Sequence, residues 1–381
     1  MSNALIITSV ASMVDQFLLP SAYLLQDMGY NVTVACNFEK GSTCSVEKIA
    51  ELKKILEAHN IEYIQVDFER NATQIIKNRV AYKQLLHILS EQKFDLIHCH
   101  SPVGGMLGRL AARKARKNGA QVLYTAHGFH FYKGAPLKNW LMYYPVEKFC
   151  SRFTDVLITI NQEDYALAKK KMKSKKVEYV PGVGIDLSRF RNAMVDRAEK
   201  RREIGVPEDA FLLVSVGEVN ENKNHQVIVK AMAKLNNPQI HYVIAGVGNQ
   251  TENLINLSET LQISNQLHLL GYRQDINEID SVADVCCFPS LREGLGLGAI
   301  EGMACGLPII TSNVHGINDY SEDGVTGYKC SPHDVDGFAE SISKLVTDQD
   351  VRKKMSEQNK KLVERYSINE ILPRMKSIYE S

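Results

Sequence analysis

The chain has 381 residues, with 45 lysines and arginines against 44 aspartates and glutamates, and 44% of its residues are hydrophobic. This composition is typical of a globular protein of two or three domains and excludes a disordered, collagen-like or coiled-coil chain. The net charge of +1 gives no sign of a nucleic-acid binder. Residues 1–190 hold 25 basic and 17 acidic side chains, and residues 191–381 hold 20 and 27. This split predicts two domains with different partners.

In the first half, short apolar segments alternate with segments of helical periodicity. Strands are predicted at 4–10, 31–36, 95–100, 121–127 and 155–161. Helices are predicted between them at 15–29, 45–59, 72–92 and 103–118. Such alternation is typical of a parallel sheet that helices cover on both faces.

The second half repeats this pattern. Strands are predicted at 211–217, 240–246, 267–272, 284–290 and 307–312. Helices are predicted near 224–236, 251–262, 274–282, 297–305 and 334–346, and a helical stretch interrupted by Pro373 follows at 349–381. The segment 179–190, YVPGVGIDLSRF, reads as the interdomain connection. We therefore expect two facing, doubly wound α/β domains whose ligands bind between the carboxyl ends of their strands.

Targeting signals and cysteine spacing bear on the compartment. No apolar run approaches the ~18 residues that span a bilayer, and the first ten residues lack the basic start of a secretory signal. The eight cysteines are scattered and form no CxxC pair. We expect reduced thiols in a cytoplasmic protein.

The segment 289–310, PSLREGLGLGAIEGMACGLPII, is the strongest motif. Glu293 ends a loop after a strand, and three alternating glycines then open a helix that carries Glu301. Glycines let backbone N–H groups approach an anion, and a helix amino terminus favours negative charge. Two carboxylates at this spacing suit the hydroxyls of a nucleotide sugar. The alternative is a glycine-rich turn with two surface carboxylates.

A second motif lies in 214–233, where a strand ends at Gly217 and Lys223 precedes a helix. A lysine at the carboxyl end of a strand is a common phosphate anchor. The alternative is a solvated loop lysine.

The first half contributes histidines at its strand ends. His127 ends the strand of YTAHGFHFYKG, and His130 follows closely. Either can hydrogen-bond a sugar hydroxyl, or be a structural histidine. His98 and His100 would point to one face of a strand, which invites a metal site, but no third ligand is evident. We expect His100 to line the ligand site instead.

The segment 129–153 is aromatic and basic, and a lysine run follows at 169–176. Together they would suit contact with an anionic bilayer. An ordinary core helix beside a solvated lysine patch explains the same residues.

These motifs together resemble those of the family-4 retaining glycosyltransferases, over essentially the whole chain. Glu293 and Glu301 match the paired-glutamate motif of the family, and Gly217 to Lys223 match its phosphate loop. His127 matches the histidine of its first domain. The stretch HGFHFYKGAPLKNWLMYYPVE is similar to the bacterial branch that builds capsule or exopolysaccharide.

The resemblance implies the GT-B fold, with two Rossmann-like domains and a last helix that crosses back onto the first. The implied domains are 1–182 with about 360–381 on the acceptor side, and 183–359 on the nucleotide-sugar side. The implied reaction moves a hexose or N-acetylhexosamine from a nucleotide diphosphate, with UDP expected, to a saccharide acceptor that is expected to be lipid-linked. No metal and no further cofactor are implied. The expected location is the cytoplasm, with peripheral contact at the inner face of the cell membrane.

The resemblance also implies a role for each matched position. The catalytic positions are His127, Lys223 and Glu293. The donor-binding positions are Gly217, Lys223, Tyr272, Arg273, Glu293, Gly294, Leu295, Gly296, Leu297, Gly298 and Glu301. Residues 293–296 would hold the sugar, the amides of 297 and 298 the diphosphate, and Glu301 the ribose. Lys223 would bind the phosphates, and residues 272 and 273 would bracket the base.

Two features depart from the family pattern. Glu218 stands where relatives usually have an arginine that pairs with the diphosphate. The first loop, residues 8–17, lacks the glycines that many relatives have near the phosphate and acceptor. We expect altered substrate handling from both, and we take Ser12, Asp15, His100 and His130 as candidates on the acceptor side.

Two other functions compete with this one. Glu218 suggests a non-catalytic nucleotide-sugar-binding or partner subunit of a glycan assembly complex. The segment 245–250, AGVGNQ, suggests a dinucleotide oxidoreductase, although the full G-x-G-x-x-G opening is absent.

Overall fold

The computed structural model describes residues 2–40, 44–69 and 74–381. The chain divides into two compact units. The first runs to Gly184 and is rejoined by Asn369–Ser381, and the second is Ile185–Ile368. The return to the first unit therefore comes later than the position near 360 that the sequence predicts.

The first unit contains a parallel sheet of seven strands in the order β3-β2-β1-β4-β5-β6-β7. The strands are β1 Ser2–Val10, β2 Tyr30–Asn37, β3 Glu62–Gln65, β4 Leu96–His100, β5 Gln121–Ala126, β6 Val156–Thr159 and β7 Lys176–Tyr179. The helices are α1 Ala11–Met13, α2 Leu19–Asp27, α3 Val46–Ala58, α4 Ile75–Glu91, α5 Pro102–Ala111, α6 Arg113–Lys117, α7 Leu137–Cys150 and α8 Gln162–Lys171.

Both faces of this sheet are buried, which explains why its central strands read as unbroken apolar runs. Along β1, Ala4 and Ile6 join the apolar core on one face, whereas Leu5 and Ile7 join the core on the other. Strand side chains alternate between faces, so each run supplies two cores at once.

The second unit contains a parallel sheet of six strands in the order β10-β9-β8-β11-β12-β13. The strands are β8 Phe211–Val216, β9 Ile240–Ala245, β10 Leu267–Gly271, β11 Val285–Phe288, β12 Ile309–Ser312 and β13 Gly327–Cys330. The helices are α9 Leu187–Arg191, α10 Arg197–Glu203, α11 Gln226–Leu235, α12 Thr251–Thr260, α13 Ile276–Ser281, α14 Leu297–Ala304, α15 Val335–Thr347 and α16 Gln349–Leu362.

The last helix, α17 Ile368–Tyr379, packs on the first sheet. Ile371, Met375 and Tyr379 enter the same apolar core as Ile6. The Tyr379 hydroxyl lies 3.0 Å from Nδ1 of His98 on β4. The predicted fold class, two doubly wound parallel sheets with a final helix that returns to the first domain, is confirmed.

The sequence misses three strands: β3, β7 and β13. Each has four residues and forms the edge of its sheet. An edge strand is only partly covered, so β3 and β7 carry no buried residue and show no apolar run.

The helix predicted at 15–29 also starts earlier. The chain enters α1 directly after β1, continues through a π-helical turn at Val14–Leu18, and passes into α2. The first loop therefore takes helical rather than glycine-rich form, which places Ser12 and Asp15 within helical turns.

In the part of the chain that the structure describes, no helix combines the length and the apolarity needed to cross a bilayer.

Within the described residues, no two cysteines form a disulfide bond.

Candidate functional site

Two loops of the second unit meet at the carboxyl ends of β8 and β11. The backbone N–H of Leu291 donates to the carbonyl of Asn222 at 2.7 Å. The Asn222 amide donates to the carbonyl of Arg292 at 2.9 Å, and the Asn224 amide donates to that of Pro289 at 3.1 Å. These asparagines fix the spacing of the two loops. The sequence analysis missed their role because each bond joins residues far apart in the chain.

Lys223 and Glu293 form an ion pair across the junction of these loops. Nζ of Lys223 donates to Oε1 of Glu293 at 2.6 Å, and the side chains are 18% and 15% exposed. Nζ also lies 4.5 Å from the centroid of the Phe288 ring. The backbone N–H of Lys223 donates to Oδ1 of Asn220. The structure thus brings together the two residues that the sequence assigned to phosphate and sugar.

Glycines allow the helix that follows Glu293 to pack closely on the strand ends. Gly296 precedes α14 with φ +90°, and a Cβ there would lie 2.5 Å from the Phe288 ring. A Cβ on Gly298 would lie 2.9 Å from the carbonyl oxygen of Val216 at the end of β8. The first N–H groups of a helix lack intrahelical acceptors, so α14 presents amides at Leu297 and Gly298 beside the Lys223–Glu293 pair.

Glu301 lies half-buried in the second turn of α14. Burial raises the pKa of its carboxyl to about 7, although the positive charges of Arg189 and Lys223 act to lower it. The carboxyl therefore titrates near neutral pH, unlike an ordinary surface glutamate.

Asp280 on α13 is a buried carboxyl that the sequence analysis missed. Its side chain is fully buried, and neither oxygen has a hydrogen-bond partner among the described residues. Burial first, and then the charge of Glu301, raise the pKa of Asp280 well above its usual range. Two neighbouring carboxyl groups disfavour double ionisation, so burial and the charge of Glu301 both favour the neutral form of Asp280. No sequence signal distinguishes it from a surface helix aspartate.

Tyr320 also borders Gly296, since a Cβ there would lie 2.9 Å from the Tyr320 hydroxyl. The ring is buried, and the hydroxyl has no hydrogen-bond partner within the described ranges. This residue has no motif around it, and the sequence analysis did not single it out.

The predicted base-binding pair follows β10. Tyr272 is 57% exposed. Nε of Arg273 donates to Oδ1 of Asp275 at 2.7 Å, and its guanidinium also pairs with Glu203. Nζ of Lys200 also forms ion pairs with Glu203 and Asp275. The Arg273 guanidinium is thus already paired with acidic residues of the second unit. Contact between the base and the backbone of this residue, rather than its side chain, remains the prediction.

Glu218, which stands where relatives usually have arginine, has an exposed side chain directly after Gly217. A carboxylate there opposes rather than attracts a diphosphate.

In the first unit, three histidines meet at the carboxyl ends of β4 and β5. Nδ1 of His100 lies 3.2 Å from Nε2 of His127, and the rings of His98 and His100 are 4.0 Å apart at their centroids. His98 is held by Thr125 and Tyr379. Burial lowers the pKa of His127 to about 4 and that of His98 to about 3. These rings are therefore neutral at pH 7.

The remaining acceptor-side candidates lie elsewhere in the first unit. His130 stacks on Tyr143 of α7 at 4.5 Å between centroids. Asp15 lies 3.8 Å from Nζ of Lys48, and burial raises its pKa. Ser12 is buried in α1.

The end of β4 contains backbone strain that the sequence analysis missed. Ser101 has φ +62° and ψ +159°, a combination almost confined to glycine. Its hydroxyl lies 2.6 Å from that of Ser9, which accepts the N–H of Gly104 at 3.0 Å. A Cβ on Gly104 would lie 3.0 Å from the backbone of Ser9. Gly104 therefore allows the start of α5 to pack closely on the end of β1.

Within the described residues, no group of three or more histidine, cysteine, aspartate or glutamate side chains has the arrangement of a metal site.

Comparisons with known proteins agree with this geometry. A family model described as "Glycosyl transferases group 1" matches residues 196–362, and one described as "Glycosyl transferase 4-like" matches residues 9–161. EpsD of Bacillus subtilis (strain 168), which is named as a glycosyltransferase, is 37% identical over 96% of this chain and 93% of its own. An Escherichia coli protein named UDP-Gal:alpha-D-GlcNAc-diphosphoundecaprenol alpha-1,3-galactosyltransferase is 31% identical over 80% of each chain.

Solved structures show the same fold. Anabaena HepE, solved with UDP and glucose, superposes with a TM-score of 0.81 at 17% identity over the full length of both chains. WaaG, a glycosyltransferase of lipopolysaccharide biosynthesis, gives 0.76 at 18% identity over 98% of each chain. The matches cover both units and include the positions of Lys223, Glu293 and Glu301. The chain therefore belongs to the family-4 glycosyltransferases and has their GT-B fold.

Proposed function

We propose that the protein is a retaining glycosyltransferase that takes a hexose or N-acetylhexosamine from a UDP-sugar. The observation that carries this proposal is the Lys223–Glu293 ion pair at the amino end of α14, with Glu301 in the second turn of that helix. This arrangement places a cation, backbone amides and two carboxyl groups at the carboxyl edge of one sheet. HepE was solved with UDP-glucose, and the galactosyltransferase named above has UDP-Gal as donor, which supports UDP.

The charge that grows on the leaving diphosphate is what such a site would stabilise. The amides of Leu297 and Gly298 are held by the start of α14 before substrate arrives, so they favour the transition state with little reorganisation. When a diphosphate binds, Lys223 would exchange part of its contact with Glu293 for a phosphate oxygen. Glu293 would then be free to accept hydrogen bonds from the sugar hydroxyls.

The half-buried Glu301 suits the ribose. A carboxyl with a pKa of about 7 can either accept or donate a hydrogen bond near neutral pH. His127, which is neutral at pH 7, would donate to or accept from the transferred sugar without adding charge. The leaving phosphate would deprotonate the acceptor hydroxyl, so no covalent intermediate and no metal is invoked.

We further propose a lipid-diphosphate-linked saccharide as acceptor, in capsule or exopolysaccharide assembly at the cytoplasmic face of the cell membrane. The name of the Escherichia coli relative, which contains a diphosphoundecaprenol-linked saccharide, supports this class of acceptor. The net charge of the first half, 25 basic against 17 acidic residues, is compatible with a diphosphate on that side.

The test measures UDP release and product formation with purified protein, a panel of UDP-, GDP- and ADP-sugars, and a lipid-diphosphate saccharide. Lys223→Ala and Glu293→Gln are expected to lower turnover by at least about 100-fold, the loss typical when one group that stabilises the transition state is removed. Lys230→Ala on α11 is the matched control and should keep full turnover. Wild-type rates in either site variant would overturn the assignment.

The alternative, a non-catalytic sugar-nucleotide-binding subunit, is favoured by the exposed carboxylate of Glu218. It predicts that a UDP-sugar raises the melting temperature while no acceptor supports transfer. In the catalytic case, Glu218→Arg should instead increase turnover, since it restores a cation beside the diphosphate.

A further inference from the structure

His100, the last residue of β4, forms a hydrogen bond with His127, which follows β5 directly. The two strands pair in parallel, so their carboxyl ends lie side by side. Nδ1 of His100 is 3.2 Å from Nε2 of His127. A hydrogen bond between two neutral imidazole rings needs an N–H on one ring and a lone pair on the other, because each ring holds a single proton. Either ring can be the donor in such a pair.

The surroundings of His100 favour a proton on its Nδ1. The residue is 2% exposed, and Nε2 has no hydrogen-bond partner among the described residues. Burial first, and then the charges of His98 and His127, lower the pKa of His100 well below its ordinary range, so the ring is neutral at pH 7. Buried N–H groups without a partner are rarer in native proteins than buried acceptors without one. The proton of His100 therefore lies on Nδ1, which donates to Nε2 of His127.

The ring of His98 holds that of His100 in place. The two ring centroids are 4.0 Å apart. His98 is itself fixed at both nitrogens, since Nδ1 lies 3.0 Å from the Tyr379 hydroxyl and Nε2 lies 2.8 Å from the Thr125 hydroxyl. Close packing in a protein interior leaves such a ring little room to turn. Tyr379 belongs to α17, so the helix that returns to the first unit contributes to the orientation of His100.

The hydrogen bond from His100 determines what His127 can offer to a ligand. Burial lowers the pKa of His127 to about 4, so this ring also holds one proton at pH 7. When its Nε2 accepts from His100, that proton must lie on its Nδ1. The His127 side chain is only partly buried, and no described residue accepts a hydrogen bond from its Nδ1. His127 therefore presents a donor, rather than an acceptor, at the carboxyl end of β5.

We propose that His100 is a positioning residue that keeps His127 in its Nδ1–H form, so that His127 donates a hydrogen bond to an oxygen of the transferred sugar. This role rests on the proposed function, in which His127 contacts that sugar. A neighbour that engages one ring nitrogen commonly sets the protonation of the other in functional histidines. A neutral donor adds no net charge beside a sugar that becomes positive as its glycosidic bond breaks. No proton leaves His127 in this step.

Two substitutions of equal size test this role in opposite directions. His100→Asn keeps an N–H donor near the position of Nδ1, whereas His100→Asp places only acceptor oxygens there. Nitrogen NMR of the purified full-length protein, labelled in histidine with the heavy nitrogen isotope, distinguishes protonated from unprotonated ring nitrogens. The His127→Ala spectrum assigns the signals of His127. We expect the proton of His127 on Nδ1 in the wild type and in His100→Asn, and on Nε2 in His100→Asp.

Turnover of a UDP-sugar provides the second measurement. His100→Asp should lower kcat by at least about tenfold, the loss expected when one hydrogen bond to the reacting sugar is removed. His100→Asn should stay within about threefold of the wild type, since it keeps the donor. In His100→Asp the fall should lie in kcat more than in KM, because the bond acts in the transition state. His87→Asp, at an exposed histidine of α4, is the matched control and should keep full turnover.

Circular dichroism and thermal unfolding establish that each variant is folded. A wild-type protein with the proton of His127 on Nε2 would overturn the proposal, and this result does not depend on whether His100→Asp folds. Equal loss of turnover in the folded His100→Asn and His100→Asp proteins would assign His100 a packing role and would also overturn it. Absence of sugar transfer by the wild type would refute the proposed function, whereas the NMR measurement needs no substrate and still decides which nitrogen of His127 is protonated.

Discussion

Glu301→Gln tests whether folding raises the pKa of the Glu301 carboxyl and so favours its protonated form. Burial raises the pKa of Glu301 from its ordinary 4.5 to about 7. The folded state therefore retains a proton that the unfolded state releases between these two values. Stability from this residue is fully present below pH 4.5 and is lost as the pH rises towards 7. Glutamine keeps the shape and cannot ionise, so the variant should be the more stable protein at alkaline pH.

The size of the effect follows from the two pKa values. At pH 8 the raised pKa corresponds to roughly 3 kcal/mol of destabilisation, and at pH 5 to less than about 1 kcal/mol. For a unit of this size, 1 kcal/mol moves the melting temperature by about 2–4 °C. Glu301→Gln should therefore melt at least about 6 °C higher than the wild type at pH 8 and close to it at pH 5. The increase in melting temperature is smaller if the neighbouring buried Asp280 shares its proton with Glu301.

The measurement is thermal unfolding of both proteins at pH 5 and pH 8, with Glu252→Gln on the exposed face of α12 as control. The control should show no pH-dependent difference. Addition of UDP should raise the melting temperature of the wild type, and should do so less for Glu301→Gln if this carboxyl binds the ribose. A variant that is no more stable than the wild type at pH 8 would refute the assignment of a raised pKa to Glu301.

Three further predictions concern packing and charge. Gly298→Ala places a Cβ 2.9 Å from the carbonyl oxygen of Val216 and should cost about 1–3 kcal/mol in urea unfolding; an unchanged midpoint would contradict the close packing of α14 on β8. Arg109→Met leaves the buried Glu147 carboxylate without its cation and should cost about 3–5 kcal/mol, most of which Arg109→Met/Glu147→Leu should recover in the same assay. His98 has a pKa lowered to about 3 by burial, so stability is lost as the pH falls below 6.5, by roughly 2 kcal/mol at pH 5. His98→Gln should reduce that acid sensitivity in thermal unfolding between pH 7 and pH 5, and equal sensitivity would show that His98 is protonated in the folded protein.

Most of the fold was predictable because its central strands are buried on both faces. Runs such as Leu5 to Ile7 and Leu212 to Val214 stay apolar over successive residues, and each is followed by a helical period. The edge strands β3 and β7 were not predictable in this way, since an edge strand needs no continuous apolar run and these two have none.

The candidate site was predicted in outline and completed by the tertiary structure. Glycine spacing and position after a strand were enough to single out Lys223, Glu293 and Glu301, because loops after parallel strands collect at one edge. The contacts were not visible in the sequence. The 2.6 Å ion pair joins residues 70 positions apart. The pKa of Asp280 is raised only because the fold buries its carboxyl near Glu301.

The sequence by itself determined the two parallel-sheet domains, the spacing of Gly217 and Lys223, the paired glutamates and the unequal charge of the two halves. Each of these is a local pattern or a count. Only the tertiary structure decided which side chains of α7 face outward, because apolar residues occur all around that helix and the Arg109–Glu147 contact selects the buried face. The same packing leaves Leu137, Leu141 and Phe149 of α7 exposed.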